Sequence, residues 1–199
     1  KQIVASKVFL LFEHVTGLVT VRKVIAEEDV SLVVMGIHGA GHSNEVMGSN
    51  TSSVIRNIQL PILAIPKNAT YKPIEKIGFT TIFKEKDLPA LQQIVEIGAM
   101  VGAKIYCINV EDSATKTTDV LLHAENWSKS FKDKDLQFEF LTKENSVEET
   151  VNAYIMDNKL DILAIVRRNR NFFERLMSSS LSNKLTFHAE IPIFVFHEE

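Results

Sequence analysis

The stretch Gly36 to Thr51, G-I-H-G-A-G-H-S-N-E-V-M-G-S-N-T, holds the residue types and spacing in this sequence that most suggest binding chemistry. Glycines at 36, 39, 41 and 48 allow backbone N–H groups to approach a ligand with no Cβ in the way. The apolar run Leu32–Met35 before them reads as a strand. Gly48 and Ser49 open a helix, whose free N–H groups and dipole favour an anion. The hydroxyls of Ser49 and Thr51 add donors. Strand, glycine loop and helix start in this order make a phosphate cradle, although glycine-rich loops also serve as plain tight turns.

Other reactive side chains form no such set. Arg167, Arg168, Arg170 and Arg175 give a second loop local positive charge. They read either as an anion site, since guanidinium groups bond phosphate in pairs, or as a solvated loop salt-bridged to nearby carboxylates. Phe172 and Phe173 beside them stack on a base or, more simply, pack the loop. His38 and His42 lie four apart but in a glycine loop with no third ligand, so no metal is expected. Cys107 falls inside an apolar strand, where an inert thiol is expected. Ser178, Ser179 and Ser180 begin a helix and read as a cap. No nucleophile, base and orienting group come together, so no catalytic residues are assigned and the chain is not expected to be an enzyme.

The elements that position these groups are those of an ordinary globular chain. Its 199 residues are 45% hydrophobic and 24% charged. A net charge of −3 gives no global attraction to nucleic acid or anionic membrane, so neither is expected as a partner. The single cysteine excludes an internal disulfide and fits a reducing compartment. The longest apolar stretches are too short to span a bilayer, and no signal peptide is read. Cytoplasmic residence is the expectation.

The sequence also repeats itself. Asp161–Val166 (D-I-L-A-I-V) resembles Ser31–Gly36 (S-L-V-V-M-G), and Ile191–Phe196 (I-P-I-F-V-F) resembles Leu60–Ile65 (L-P-I-L-A-I). Upstream, Val21, Val24 and Ile25 fall on Val151, Tyr154 and Ile155. Two copies are expected, residues 1–66 as the C-terminal half of a domain and residues 67–199 as a complete one. The register predicts a parent protein longer by about one half-domain.

In the complete copy, residues 76–83 read as the first strand, and Asp87 as the cap of a helix that Gly102 ends. Leu88, Leu91, Val95 and Ala99 form the expected buried stripe of that helix. Strands at 103–110, 136–141, 160–166 and 191–196 alternate with helices at about 118–131, 146 onward and 180–189. Ser146 and Glu149 make a capping-box pattern. Such alternation predicts an open parallel five-stranded sheet with helices on both faces, binding ligands where strand order reverses.

The run V-V-M-G-I-H-G, then G-S, a helix, and L-P-I-L-A-I-P resembles the C-terminal half of the universal stress protein family. That family's signature is Gly, two residues, Gly, nine residues, Gly, then Ser or Thr. The resemblance implies an adenine nucleotide alpha hydrolase-like sheet in the order 3-2-1-4-5. It also implies ATP or another adenine nucleotide held by Met35 and Gly36 at the ribose and base, and by Gly39, Gly48, Ser49 and Asn50 at the phosphates. Fifth strands of two family domains commonly pair, which places Leu60–Ile65 against Ile191–Phe196, within one chain as a pseudo-dimer or between chains as a homodimer.

Departures from the pattern are equally legible. Eight residues, not nine, separate Gly39 from Gly48. Ile82 stands where nucleotide-binding members carry an aspartate after the first strand. Val166, Asn169 and Ser179 replace the signature glycines of the complete copy, which is therefore expected not to bind nucleotide. The implied function is a non-enzymatic stress-response module, and the alternative is a structural or protein-interaction module without nucleotide.

Overall fold

The structure, a computed structural model, describes residues 17–37, 49–112, 118–168 and 191–198. Seven strands form one sheet: β1 (Val33–Gly36), β2 (Ile62–Ile65), β3 (Lys76–Thr80), β4 (Lys104–Glu111), β5 (Leu136–Thr142), β6 (Ile162–Arg167) and β7 (Ile193–His197). Their spatial order is β1-β2-β7-β6-β3-β4-β5. The last five, β7-β6-β3-β4-β5, are mutually parallel and reproduce the expected 3-2-1-4-5 order. β1 and β2 pair in parallel, and β2 then joins β7 antiparallel, with Ile62 opposite Val195 and Ala64 opposite Ile193. The two apolar segments expected to meet do so, and they merge their sheets.

Alternation along each strand sorts side chains to two faces. Tyr106, Ile108, Leu163, Ile165, Ile193 and Val195 point to one core, with Ile62 and Ala64 of β2. This core is covered by α1 (Gly17–Glu27), α2 (Ser49–Asn57) and α5 (Val147–Asn158), through residues such as Val21, Val54, Ile55 and Val151. Ile77, Phe79, Ile105, Cys107, Ile162, Ala164, Phe194 and Phe196 face the opposite core, under α3 (Leu88–Val101) and α4 (Thr118–Ser130). The first core runs without interruption from α1 and α2 to α5. Burial on that face therefore joins the chain's two halves as well as their strand pairing does.

The helices start and stop where their chemistry dictates. Ser146 takes extended backbone and its Oγ accepts from the Glu149 N–H at 3.1 Å, opening α5. Gly102 ends α3 at φ 73°, the left-handed region that glycine enters without a Cβ penalty. The buried stripe of α3 is Ala90, Leu91, Ile94, Val95 and Gly98, and Ala99 faces solvent. Of the expected stripe, Leu91 and Val95 are buried and Leu88 packs on the same core; Ala99 alone falls outside it, and the neighbouring Gly98 lies close over Ile105 and Ala103 instead. The helix expected near 180–189 lies outside the described residues.

The connector between the halves is pinned at one point. Asp161 Oδ2 accepts the backbone N–H groups of Glu75 and Lys76 at 2.8 and 2.9 Å, and its Oδ1 lies 2.7 Å from Lys72 Nζ. Burial pushes this carboxyl up, but the Lys72 ammonium and the two N–H donors outweigh that and hold it below the usual range.

Candidate functional site

Met35 and Gly36 end β1, at the carboxyl edge of the sheet, and Ser49 and Asn50 form the first turn of α2. Thr51 brings these two ends together. Its side chain is 3% exposed, and its Oγ1 donates to the Gly36 carbonyl at 2.8 Å. Ile37, fully buried, donates its N–H to the Ile65 carbonyl at 2.9 Å. The strand end is thus fixed against β2 and against the start of α2. The N–H groups of a helix's first turn have no partner within the helix, and they carry the positive end of its dipole. Gly39, Gly41, Gly48, His38 and His42 lie outside the described residues. Of the six residues assigned to nucleotide, four are placed: Met35 and Gly36 on the strand, Ser49 and Asn50 on the helix that Thr51 ties to it.

Strand order also reverses between β3 and β6, within the five parallel strands. Doubly wound sheets bind ligands at this point. β3 ends at Thr80, earlier than the residue 83 expected, because Phe83 turns the chain at φ 55°. That turn buries the Phe83 ring against Trp127 at 5.1 Å and Phe140 at 5.6 Å. A short 3-10 turn, Glu85–Asp87, then leads into α3.

Asp87 stands at the cap position of α3, but its carboxylate makes no capping bond. It is instead wholly buried, and its Oδ2 accepts from Thr81 Oγ1 at 2.6 Å and from the Ile82 N–H at 3.3 Å. Its Oδ1 pairs with the guanidinium of Arg168, the residue that follows β6. Asn109 on β4 completes the cluster, donating to the Thr81 carbonyl at 3.0 Å. Ile82 occupies the expected aspartate position and is half-exposed. Sequence reading did not place Asp87 at this reversal of strand order. The usable signal was a carboxylate just past β3 and an arginine just past β6, two points that the implied strand order makes neighbours.

Two other titratable groups among the described residues are shifted by burial. Cys107 is fully buried, and desolvation pushes its thiol up to about 12, as expected for an inert cysteine. Burial lowers His197, and the nearby Arg167 charge lowers it further. Of the arginine-rich loop, Arg167 and Arg168 are placed, while Arg170, Arg175, Phe172 and Phe173 lie outside the described residues.

Comparison with known proteins bears on the stretch around β1 and α2. The sequence profile of the universal stress protein family matches residues 7–66, the stretch that contains β1, the glycine loop, α2 and β2. Residues 7–66 are thus similar in sequence to the universal stress protein family. Two solved structures extend the likeness in fold to nearly the whole chain. A universal stress protein from Archaeoglobus fulgidus DSM 4304 superposes with a TM-score of 0.66 at 14% identity over 89% of this chain. A protein of unknown function from Pseudomonas aeruginosa PAO1 does so with a TM-score of 0.65 at 11% identity over 94% of this chain. The chain spans 64% and 69% of the lengths of these two proteins. No curated protein matches it in sequence. No helix among the described residues is long and apolar enough to cross a membrane.

Proposed function

We propose that this chain is a non-enzymatic stress-response module that holds ATP or another adenine nucleotide in the Gly36–Thr51 loop of its first half. In this reading the nucleotide lies across the carboxyl end of β1, with base and ribose beside Met35 and Gly36. The phosphates sit on the N–H groups of Gly39, Gly48, Ser49 and Asn50. The observation that carries the reading is the Thr51 hydroxyl bond to the Gly36 carbonyl. It holds the start of α2 beside the strand end, so that a phosphate would meet the first-turn N–H groups of that helix already in place.

The complete half takes no part in binding. It supplies the sheet edge on which the first half rests, through β2 and β7. The two halves act as a pseudo-dimer of related units in the cytoplasm, and nucleotide occupancy is the signal that the module reports.

Isothermal titration of the chain with ATP tests this directly. Saturable binding that Thr51→Val weakens, while the fold survives, supports it. An absence of saturable binding at millimolar ATP would remove the nucleotide from the function. What would remain is a structural or protein-interaction module, to which the shortened Gly39-to-Gly48 spacing is then the pointer. Inserting one residue between those glycines separates the two: recovered binding identifies loop length as the obstacle.

A further inference from the structure

The Asp87 cluster sits where the complete half would bind a ligand, and it has the wrong sign for a phosphate. The Asp87 carboxylate is wholly buried at this reversal of strand order, and accepts from the Thr81 hydroxyl and the N–H of Ile82. Thr81 is itself held, its Oγ1 accepting from the Phe83 N–H at 2.8 Å and its carbonyl accepting from Asn109. A buried, oriented carboxylate repels anions and demands a cation. Arg168 supplies that cation, reaching from the end of β6 with its side chain 21% exposed. Glu198 stands near Arg168 at the end of β7, and lies 3.8 Å from Lys86 at the rim.

We propose that the switch point between β3 and β6 is a guanidinium site whose one contact among the described residues is the Asp87 carboxylate, held by Thr81 and through it by Asn109, and that the chain's own Arg168 occupies it. The arginine is an internal ligand. Its planar cation fills the place that an exchangeable ligand would take, and it closes the complete half to anionic nucleotides whatever the adjoining loop contains. This inference does not depend on nucleotide binding by the first half, because the two sites share no residue.

Chemical rescue tests it on the full chain. Arg168→Ala leaves the Asp87 carboxylate buried without its partner, and its melting temperature should fall by roughly 10 °C. Methylguanidinium chloride, at concentrations on the order of tens of millimolar, should recover several degrees of that loss by occupying the vacated site. The parent protein and the Asp87→Asn/Arg168→Ala double variant should show no such recovery. The proposal is overturned if R168A melts within about 2 °C of the parent. It is equally overturned if methylguanidinium raises R168A no more than potassium chloride does at equal ionic strength. Should R168A yield no folded protein, Asp87→Asn/Arg168→Met removes both charges and must fold with a melting temperature near that of the parent. Failure of that neutral pair also overturns the proposal.

Discussion

Replacing Phe83 tests the corner that delivers Asp87 to the switch point. Two terms of opposite sign meet at this residue. The ring is fully buried, touching Trp127 edge-on and lying over Phe138 and Phe140. Truncating such a ring to alanine costs about 3–5 kcal/mol. The backbone, however, sits at φ 55°, where an L-residue is strained by about 1–2 kcal/mol. Alanine keeps that strain and loses the ring, whereas glycine loses the ring and relieves most of the strain. Phe83→Ala should therefore be destabilised by about 3–5 kcal/mol, and Phe83→Gly by about 1 kcal/mol less. Urea unfolding followed by circular dichroism gives both values, with the F83A midpoint shifted by roughly 1–2 M. Trp127, the chain's one tryptophan, reports the same event in its fluorescence. If F83A lies within about 1 kcal/mol of the parent, the aromatic cluster does not hold the corner. If F83G is less stable than F83A, the backbone strain assigned to this turn is wrong.

The remaining predictions concern the pinned connector, the shared core and the buried thiol. Asp161→Asn should cost about 1–3 kcal/mol at pH 7, since it weakens the acceptor for two N–H groups and removes the partner of Lys72. Because the folded carboxyl is held below its unfolded value, that stability is present above the unfolded carboxylate range and disappears as pH falls through the folded value. The gap between D161N and parent melting temperatures should accordingly narrow in acid, and a constant gap would contradict the assignment. Ile62→Ala, at the fully buried β2–β7 junction, should cost about 2–5 kcal/mol. It should lower the unfolding of the whole chain as a single transition, because one core spans both halves, and separate melting of the two halves would refute this. Cys107 should resist a thiol reagent at pH 8 in native buffer and react at least roughly a hundredfold faster in denaturant. Rapid native labelling would mean that the β4 strand opens readily.

Much of the architecture was legible in the sequence. Strand and helix alternation, the repeated L/I-P-I endings and the implied strand order gave the parallel sheet and the meeting of β2 with β7. The alternation is displayed directly by local composition and the period of apolar residues, whereas the strand order and the meeting of β2 with β7 came from the family resemblance. The cap at Ser146 and the stop at Gly102 were legible from local composition as well. Ala99 was misplaced because a helical stripe fixes a face only to within a residue, and the glycine that brought α3 close to β4 was not counted as apolar.

For the candidate sites, the sequence by itself displayed the glycine-rich stretch after β1, the helix that follows it and the Val166, Asn169 and Ser179 that stand where the family signature has glycine. Each of these is a property of residue type and spacing along one segment. Only the tertiary structure decided that Thr51 clasps Gly36, and that Asp87 turns away from its helix to meet Arg168. Asp87 and Arg168 are 81 positions apart, 168 less 87, and nothing local to either requires the other. Their pairing follows from the reversal of strand order between β3 and β6, which sets the ends of those two strands side by side. A carboxylate buried there must find a cation, and the fold leaves Arg168 within reach.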